Sequence, residues 1–258
     1  MRPVNTIVTI LSATAVAGVG GTGVGGVGGL FLPRGARRTT ALLLGFAGGV
    51  MMSVVCFDLL TEALHTAAAI PFSLPFVIGV TLTGYGMIFL LDAAITHRAE
   101  RPAGENRRDG LFLTGVIMAS AIALHNLPEG IVIGACYAMD AGAPGGSGFL
   151  MAVVIGLHNI PEGMAVAVPL AAGGARRARV LVLTAASGTP TVLGACLGYC
   201  VGRLSALALT ASLAFAGGAM LYVVLAELLP QANGLWQSKW PALAAFVGML
   251  VGIFIIFG

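Results

Sequence analysis

Two copies of one six-residue pattern carry the groups in this sequence that are best suited to chemistry. The first copy, His-Asn-Leu-Pro-Glu-Gly, occupies residues 125–130, and the second, His-Asn-Ile-Pro-Glu-Gly, occupies residues 158–163. Histidine and glutamate are four residues apart in each copy, so on an α-helix they share one face, with asparagine one position round. Each helix therefore offers an imidazole nitrogen and a carboxylate together.

The doubled pattern predicts a site for a divalent transition metal. Its histidines and glutamates suit Zn²⁺, Fe²⁺, Mn²⁺ or Co²⁺ better than Ca²⁺ or Mg²⁺, which prefer oxygen ligands, or Cu⁺, which prefers sulfur. Two carboxylates facing each other without a cation would repel or share a proton, whereas one divalent ion neutralises both. We expect a shared site formed by His125, Glu129, His158 and Glu162.

Each copy also contains a proline that interrupts the hydrogen bonding of its helix. Pro128 and Pro161 cannot donate to the carbonyls of Leu124 and Leu157, which become free to turn towards a cavity. Irregular backbone inside a membrane needs a partner in protein, water or an ion, and paired interrupted helices near the midplane indicate a transporter's binding site.

The elements that must position these motifs are transmembrane helices. Of the 258 residues, 58% are hydrophobic and 9% are charged, whereas soluble domains carry roughly 25% charged residues. A spanning helix needs about 20 apolar residues. Eight stretches qualify: 6–31, 40–66, 73–96, 111–137, 148–172, 178–201, 205–229 and 240–257. The sequence predicts an all-α integral membrane protein with a single transmembrane domain, residues 1–258.

The distribution of basic residues predicts that both termini lie outside. With the N-terminus outside, the inner connections hold Arg34, Arg37, Arg38, Arg98, Arg101, Arg107, Arg108, Arg176, Arg177, Arg179 and Lys239, and the outer side holds Arg2 and Arg203. Positive connections remain in the cytoplasm. Inner-leaflet lipids account for the net charge of +3, so no nucleic-acid partner is needed.

The first span has two interpretations. Arg2, an apolar run and Ala15-Val16-Ala17 resemble a cleaved signal peptide. The apolar stretch continues to Leu32, however, and its many glycines suit close helix packing in lipid, which favours a retained span.

Further acids inside the spans predict a path for cations. Asp58 and Glu62 are one turn apart towards the outer end of the second span. Asp92 and Glu227 lie towards the inner ends of the third and seventh spans, although Asp92 could equally be a charged group at a helix end. Carboxylates at both mouths would attract cations.

These motifs resemble those of the ZIP family of metal transporters, especially its bacterial zinc-uptake and GufA-like branch. The resemblance covers nearly the whole chain. It implies a bundle in which spans 1–3 relate to spans 6–8 by a pseudo-twofold around spans 4 and 5. It also implies uptake of Zn²⁺, and in broader members Fe²⁺, Mn²⁺, Co²⁺ or Cd²⁺, across the bacterial cytoplasmic membrane. His125, Glu129, His158 and Glu162 become primary ligands, and Asn126 and Asn159 become candidates for a second ion.

The sequence departs from the family at one position. Many members carry a glutamate on the sixth span where this chain has Thr191. A site for two ions would then lack a bridging carboxylate. We therefore expect one metal ion per site.

Two other functions fit the same ligands. An intramembrane zinc-dependent hydrolase would hold Zn²⁺ through His125 and His158 and use Glu129 or Glu162 to activate water. A structural metal would stabilise the fold without any flux. No motif for an organic cofactor is visible, and the glycine-rich faces are compatible with a homodimer.

Overall fold

Eight membrane-spanning helices make up the protein in a computed structural model that describes residues 3–32, 37–68, 72–99, 107–139 and 145–257. Within these ranges the structure is helical, without strands. The spans are α1 (Thr6–Phe31), α2 (Arg37–Thr66), α3 (Ser73–Ala94), α4 (Leu111–Met139), α5 (Ser147–Ala172), α6 (Arg177–Gly202), α7 (Ala206–Leu235) and α8 (Trp240–Phe257). The all-α membrane fold with eight spans is confirmed.

Helix α7 continues six residues beyond the predicted end of its span. The sequence predicts an end near residue 229, where the apolar stretch stops, but the helix runs to Leu235. A π-helical turn, Val223–Leu228, precedes the proline. Pro230 then lies in the first turn of the next α-helical segment, where its missing N–H costs little.

A matching π-helical turn, Val54–Leu59, interrupts α2. The two turns occupy equivalent places in an internal repeat, because residues 44–63 and 213–232 are identical at eleven of twenty positions. Asp58 in the first copy corresponds to Glu227 in the second. π-Helical turns occur frequently at functional sites, since they redirect side chains within an otherwise regular helix.

Helix packing follows the same twofold relation. Helix α4 packs on α6 as α5 packs on α1, and α2 packs on α8 as α7 packs on α3, while α4 and α5 pack on each other. Exchanging α1–α3 with α6–α8 and α4 with α5 therefore preserves the arrangement. The pseudo-twofold implied by the family resemblance is present.

Glycines make these helix contacts close. A Cβ on Gly163 of α5 would collide with the Thr22 carbonyl of α1, and a Cβ on Gly130 of α4 would collide with the equivalent Thr191 carbonyl of α6. The final glycine of each six-residue motif is thus required for the approach of a neighbouring backbone. Helix α1 is in this way packed closely against α5.

Burial separates the bundle into a centre and a periphery. Helices α2, α5 and α7 are the most buried, whereas α3 and α8 expose most of their surface. The exposed residues of α3 and α8 are largely Leu, Phe, Ile and Val, which suits contact with lipid chains. The motif helices α4 and α5 meet inside this bundle.

Candidate metal site

Glu129, His158 and Glu162 converge in the centre of the bundle. The His158 Nε2 atom lies 3.2 Å from Glu162 Oε1 and 3.6 Å from Glu129 Oε1. One ligand atom from each of the three residues lies within 4.8 Å of the other two. Helical geometry brings His158 and Glu162 together on α5, and the packing of α4 against α5 adds Glu129.

These separations match the coordination shell of a small divalent ion. Two ligands about 2.0–2.1 Å from a tetrahedral Zn²⁺ are about 3.3–3.4 Å apart. The two measured distances from His158, 3.2 and 3.6 Å, bracket that value. The two separations are therefore compatible with ligands that share one ion of this size.

The carboxylates of this cluster are buried and short of partners. Glu129 and Glu162 are both 0% exposed. Both oxygens of Glu129 and the Oε2 atom of Glu162 have no hydrogen-bond partner within the part of the chain that the structure describes. Buried anionic oxygens need a cation or donors to offset their desolvation, so the donor set fits a divalent metal.

His125, expected as a fourth ligand, has a different neighbour in this structure. Its Nε2 atom lies 2.6 Å from Glu227 Oε1 on α7, and it is not one of the three clustered ligands. Glu227 is partly exposed, whereas His125 is almost completely buried. The pair forms a second group of polar side chains next to the cluster of Glu129, His158 and Glu162.

Asn126 makes two hydrogen bonds with residues of α6. Its Nδ2 donates to the Ser187 carbonyl at 2.9 Å, and its Oδ1 accepts from Thr191 Oγ1 at 3.2 Å. Thr191, the residue that replaces the family's glutamate, is fully buried. The Asn126 amide is therefore engaged in packing α4 against α6.

Asn159, the equivalent residue on α5, is less engaged. Its Nδ2 donates to the Ala17 carbonyl of α1 at 3.1 Å, which parallels the bond made by Asn126. Its Oδ1 is buried and has no partner among the described residues. The two asparagines thus differ. The Oδ1 atom of Asn126 accepts a hydrogen bond from a hydroxyl, whereas no described residue donates one to the Oδ1 atom of Asn159.

The acids predicted to line the path lie in three different settings. Asp58 and Glu62 are half-buried on α2, and neither borders the cavities next to the metal site. Asp92 of α3 accepts a hydrogen bond of 2.8 Å from the Tyr222 hydroxyl of α7. Glu227 is the one acid of this set that the structure brings to a motif histidine.

Two small cavities flank the site on opposite sides. One of about 30 Å³ lies towards the arginine-rich connections and is bordered by His125, Glu227 and Gln231. The other, of about 10 Å³, lies towards the opposite end and is bordered mainly by apolar residues, including Val54 and Val154. A water molecule needs about 10–15 Å³ of such space. The site is therefore closed more tightly on the apolar side.

Two contacts of the site are absent from the predictions made from the motifs. The Asp92–Tyr222 bond joins residues 130 apart in sequence, and no local spacing indicates it. The pairing of Glu227 with a histidine is long-range as well, but the repeat of α2 and α7 marks Glu227 as the counterpart of Asp58. A search for internal repeats would have shown that equivalence.

Comparison with known proteins places this geometry in a family context. Residues 107–258 match the family model described as ZIP Zinc transporter. The zinc transporter ZupT of Enterobacter sp. (strain 638) is 33% identical over 223 residues, which cover 84% of each chain. The zinc transporter ZupT of Salmonella newport (strain SL254) is 29% identical over 229 residues, again covering 84% of each chain.

Proposed function

Because this chain belongs to the ZIP family of zinc transporters, we propose that it moves Zn²⁺ into the cytoplasm through Glu129, His158 and Glu162. The observation that carries the proposal is the buried cluster of three ligands with unpaired carboxylate oxygens. A cation passing through a bilayer loses its hydration shell, and this cluster can replace part of it. The host membrane is the bacterial cytoplasmic membrane, as the bacterial relatives suggest.

The ligand set favours zinc but does not restrict transport to it. Carboxylate oxygens and imidazole nitrogen also suit Fe²⁺, Mn²⁺, Co²⁺ and Cd²⁺, so these ions are candidate substrates. No thiol contributes to the cluster, which disfavours Cu⁺. The metal is the transported substrate, and the proposal needs no resident cofactor.

One ion occupies the site at a time in this proposal. A second ion next to Glu129 would need Asn126 as a ligand, but the Asn126 oxygen already accepts from Thr191. The family's extra carboxylate is missing at that position, so the local charge supports a single divalent ion. Two strongly occupied metal positions in an anomalous diffraction map would contradict this.

Transport proceeds by alternating access rather than through an open pore. The cavity on the apolar side has room for about one water molecule at most, so an ion cannot cross that side without a change in packing. Asp58 and Glu62 serve the outer part of the path, and Glu227 and Asp92 serve the inner part. The His125–Glu227 pair receives the ion as it leaves the cluster.

The first experiment is metal uptake into proteoliposomes that contain the full chain. Zn²⁺, Cd²⁺, Fe²⁺ and Mn²⁺ are tested separately with the wild type and with Glu129→Gln plus Glu162→Gln, which removes charge but keeps side-chain size. We expect saturable Zn²⁺ uptake that falls at least about tenfold in the double variant, since losing even an outer-shell partner of a metal site costs about 10–100-fold. Arg177→Gln, at an exposed position at the start of α6, is the control for removing a charge away from the site.

The same preparation separates the competing functions. Tight Zn²⁺ binding without uptake would contradict transport and would point to the structural metal or to the hydrolase. The hydrolase is not favoured, because the family consists of transporters. A peptide- or lipid-cleavage assay on the folded protein tests it directly.

A further inference from the structure

The backbone follows the pseudo-twofold relation, but the contacts of the ionisable side chains around the site do not. His125 of α4 corresponds to His158 of α5, and Glu227 of α7 corresponds to Asp58 of α2. His125 contacts Glu227. The equivalent contact, between His158 and Asp58, is absent among the described residues, because His158 faces Glu129 and Glu162 instead.

The backbone contacts around these residues nevertheless mirror each other closely. Gly84 of α3 packs against the Phe215 carbonyl of α7, and Gly248 of α8 packs against the Phe46 carbonyl of α2. The π-helical turns that carry Asp58 and Glu227 also occupy equivalent positions. Each half therefore has a histidine and a carboxylate at equivalent positions.

The two cavities also differ between the halves, because equivalent residues do not border both of them. The larger cavity is bordered by Ala121, His125 and Glu227, and the equivalent residues in the other half are Val154, His158 and Asp58. Val154 and His158 border the smaller cavity, but Asp58 does not. Exchanging the conformations of the two halves would enlarge the smaller cavity and bring Asp58, with Glu62 one turn away, to its wall.

We propose that Asp58 is the positioning residue for His158 in a second access state, which faces the end of the bundle away from the arginine-rich connections. Glu227 has the same role for His125 in the state seen here. The inference rests on the proposed transport function and deepens it. In a transporter built from inverted repeats, the two access states are related by exchanging the conformations of the halves. Each carboxylate then stabilises one state: Glu227 the state open towards the arginine-rich end, and Asp58 the state open towards the other end.

In this arrangement Asp58 and Glu227 have opposite effects on the equilibrium between the two access states. Replacing the carboxylate by an amide weakens a charge-assisted hydrogen bond, so each substitution shifts the ratio of the two states by about tenfold. Asp58→Asn destabilises the second access state, whereas Glu227→Gln destabilises the state seen here. Two residues that served only to attract cations would not produce such reciprocal shifts.

Cysteine labelling tests the reciprocity without relying on transport. The background replaces Cys56, Cys136, Cys196 and Cys200 by serine or alanine. Val154→Cys then reports on the cavity at the apolar side, and its counterpart Ala121→Cys reports on the cavity at the arginine-rich side. The full chain in metal-free nanodiscs, where both faces are accessible, is treated with a small water-soluble thiol reagent.

We expect Val154→Cys to react about tenfold more slowly when Asp58→Asn is added and about tenfold faster when Glu227→Gln is added. The labelling rate of Ala121→Cys should change in the reverse direction. It should stay constant if the state open towards the arginine-rich end already predominates. Arg177→Gln, which changes an exposed residue at the start of α6, should leave both rates unchanged. A rate at Val154→Cys that moves in the same direction with both substitutions, or with neither, overturns the inference.

Folding and transport are followed on the same samples. Size-exclusion profiles and thermal unfolding establish that each variant is folded, and Glu227→Asp provides a second, milder change that should give a smaller shift of the same sign. Zinc uptake by the wild type without reciprocal labelling overturns this inference and leaves the proposed function standing. Absence of zinc uptake by the wild type overturns the proposed function itself.

Discussion

His158 is shared between two glutamates, and this sharing makes the site sensitive to protons. Its Nε2 atom lies 3.2 Å from Glu162 Oε1 and 3.6 Å from Glu129 Oε1. A metal ion and a proton compete for the same imidazole nitrogen and the same carboxylate oxygens. Binding of Zn²⁺ should therefore release protons, and acid should release Zn²⁺.

We expect the affinity for Zn²⁺ to fall at least about tenfold between about pH 7.5 and about pH 5.5, because protons compete with the metal for the ligand atoms of the site. Isothermal titration calorimetry on protein in nanodiscs measures the affinity at each pH. Glu129→Gln plus Glu162→Gln serves as the control, because it should bind weakly at both. Equal affinity of the wild type at the two pH values would rule out His158 as a ligand.

The sequence predicts some residues of the site and misses the partners of others for a simple reason. Helical spacing is local, so the four-residue separation of His158 and Glu162 is enough to place them on one face. The partner of His125 lies 102 residues away and depends on how α7 packs. A motif can therefore identify a ligand without identifying what it contacts in a given state.

Helix α3 contains two glycines that have different surroundings. A Cβ on Gly84 would collide with the Phe215 carbonyl of α7, whereas a Cβ on Gly86, two residues away, would have no atom within 4 Å. Both positions lie in the same helix, so replacing glycine by alanine changes the intrinsic helix propensity similarly at each. Their difference isolates the contribution of close packing between α3 and α7.

Gly84→Ala should lower the free energy of unfolding by about 1–3 kcal/mol, as overpacking does in other tightly packed interiors. Gly86→Ala should have no destabilising effect, because alanine favours a helix over glycine. Thermal unfolding of the detergent-solubilised protein compares the two apparent midpoints. Equal midpoints would mean that α3 does not depend on this contact for its position.

The elements themselves follow closely from composition, with one instructive exception. Apolar stretches of about 20 residues predict all eight spans, because lipid requires such lengths. The end of α7 is different, because the apolar stretch stops near residue 229 but the helix continues past a π-helical turn and Pro230 to Leu235. Such a turn depends on packing around α7, which local sequence does not describe.

At the scale of the whole molecule, eight spans place both termini on the same side of the membrane. The basic residues gather in the connections at the other side, including Arg176 and Arg177 between α5 and α6. Positive connections stay in the cytoplasm, which predicts termini outside. The inward direction of transport in the proposal depends on this orientation and on the family.

A fusion of alkaline phosphatase after residue 258 should be active, because that enzyme needs the oxidising compartment outside the cytoplasmic membrane to form its disulfides. The same enzyme fused after Gly173, at the arginine-rich end, should be inactive. Reporter activity in intact bacteria distinguishes the two. The reverse pattern would invert the orientation and exchange the inner and outer roles given to Glu227 and Asp58.

The peripheral position of α3 and α8 ties the movement of the bundle to the elasticity of the membrane around it. Gly84 and Gly248 hold these two lipid-facing helices tightly against α7 and α2, which carry Glu227 and Asp58. Any tilt of α7 or α2 would therefore carry an apolar surface through the surrounding acyl chains. Adjusting bilayer thickness costs fractions of a kcal/mol per Å. Lipid chain length would thus act as a mechanical load on the turnover rate.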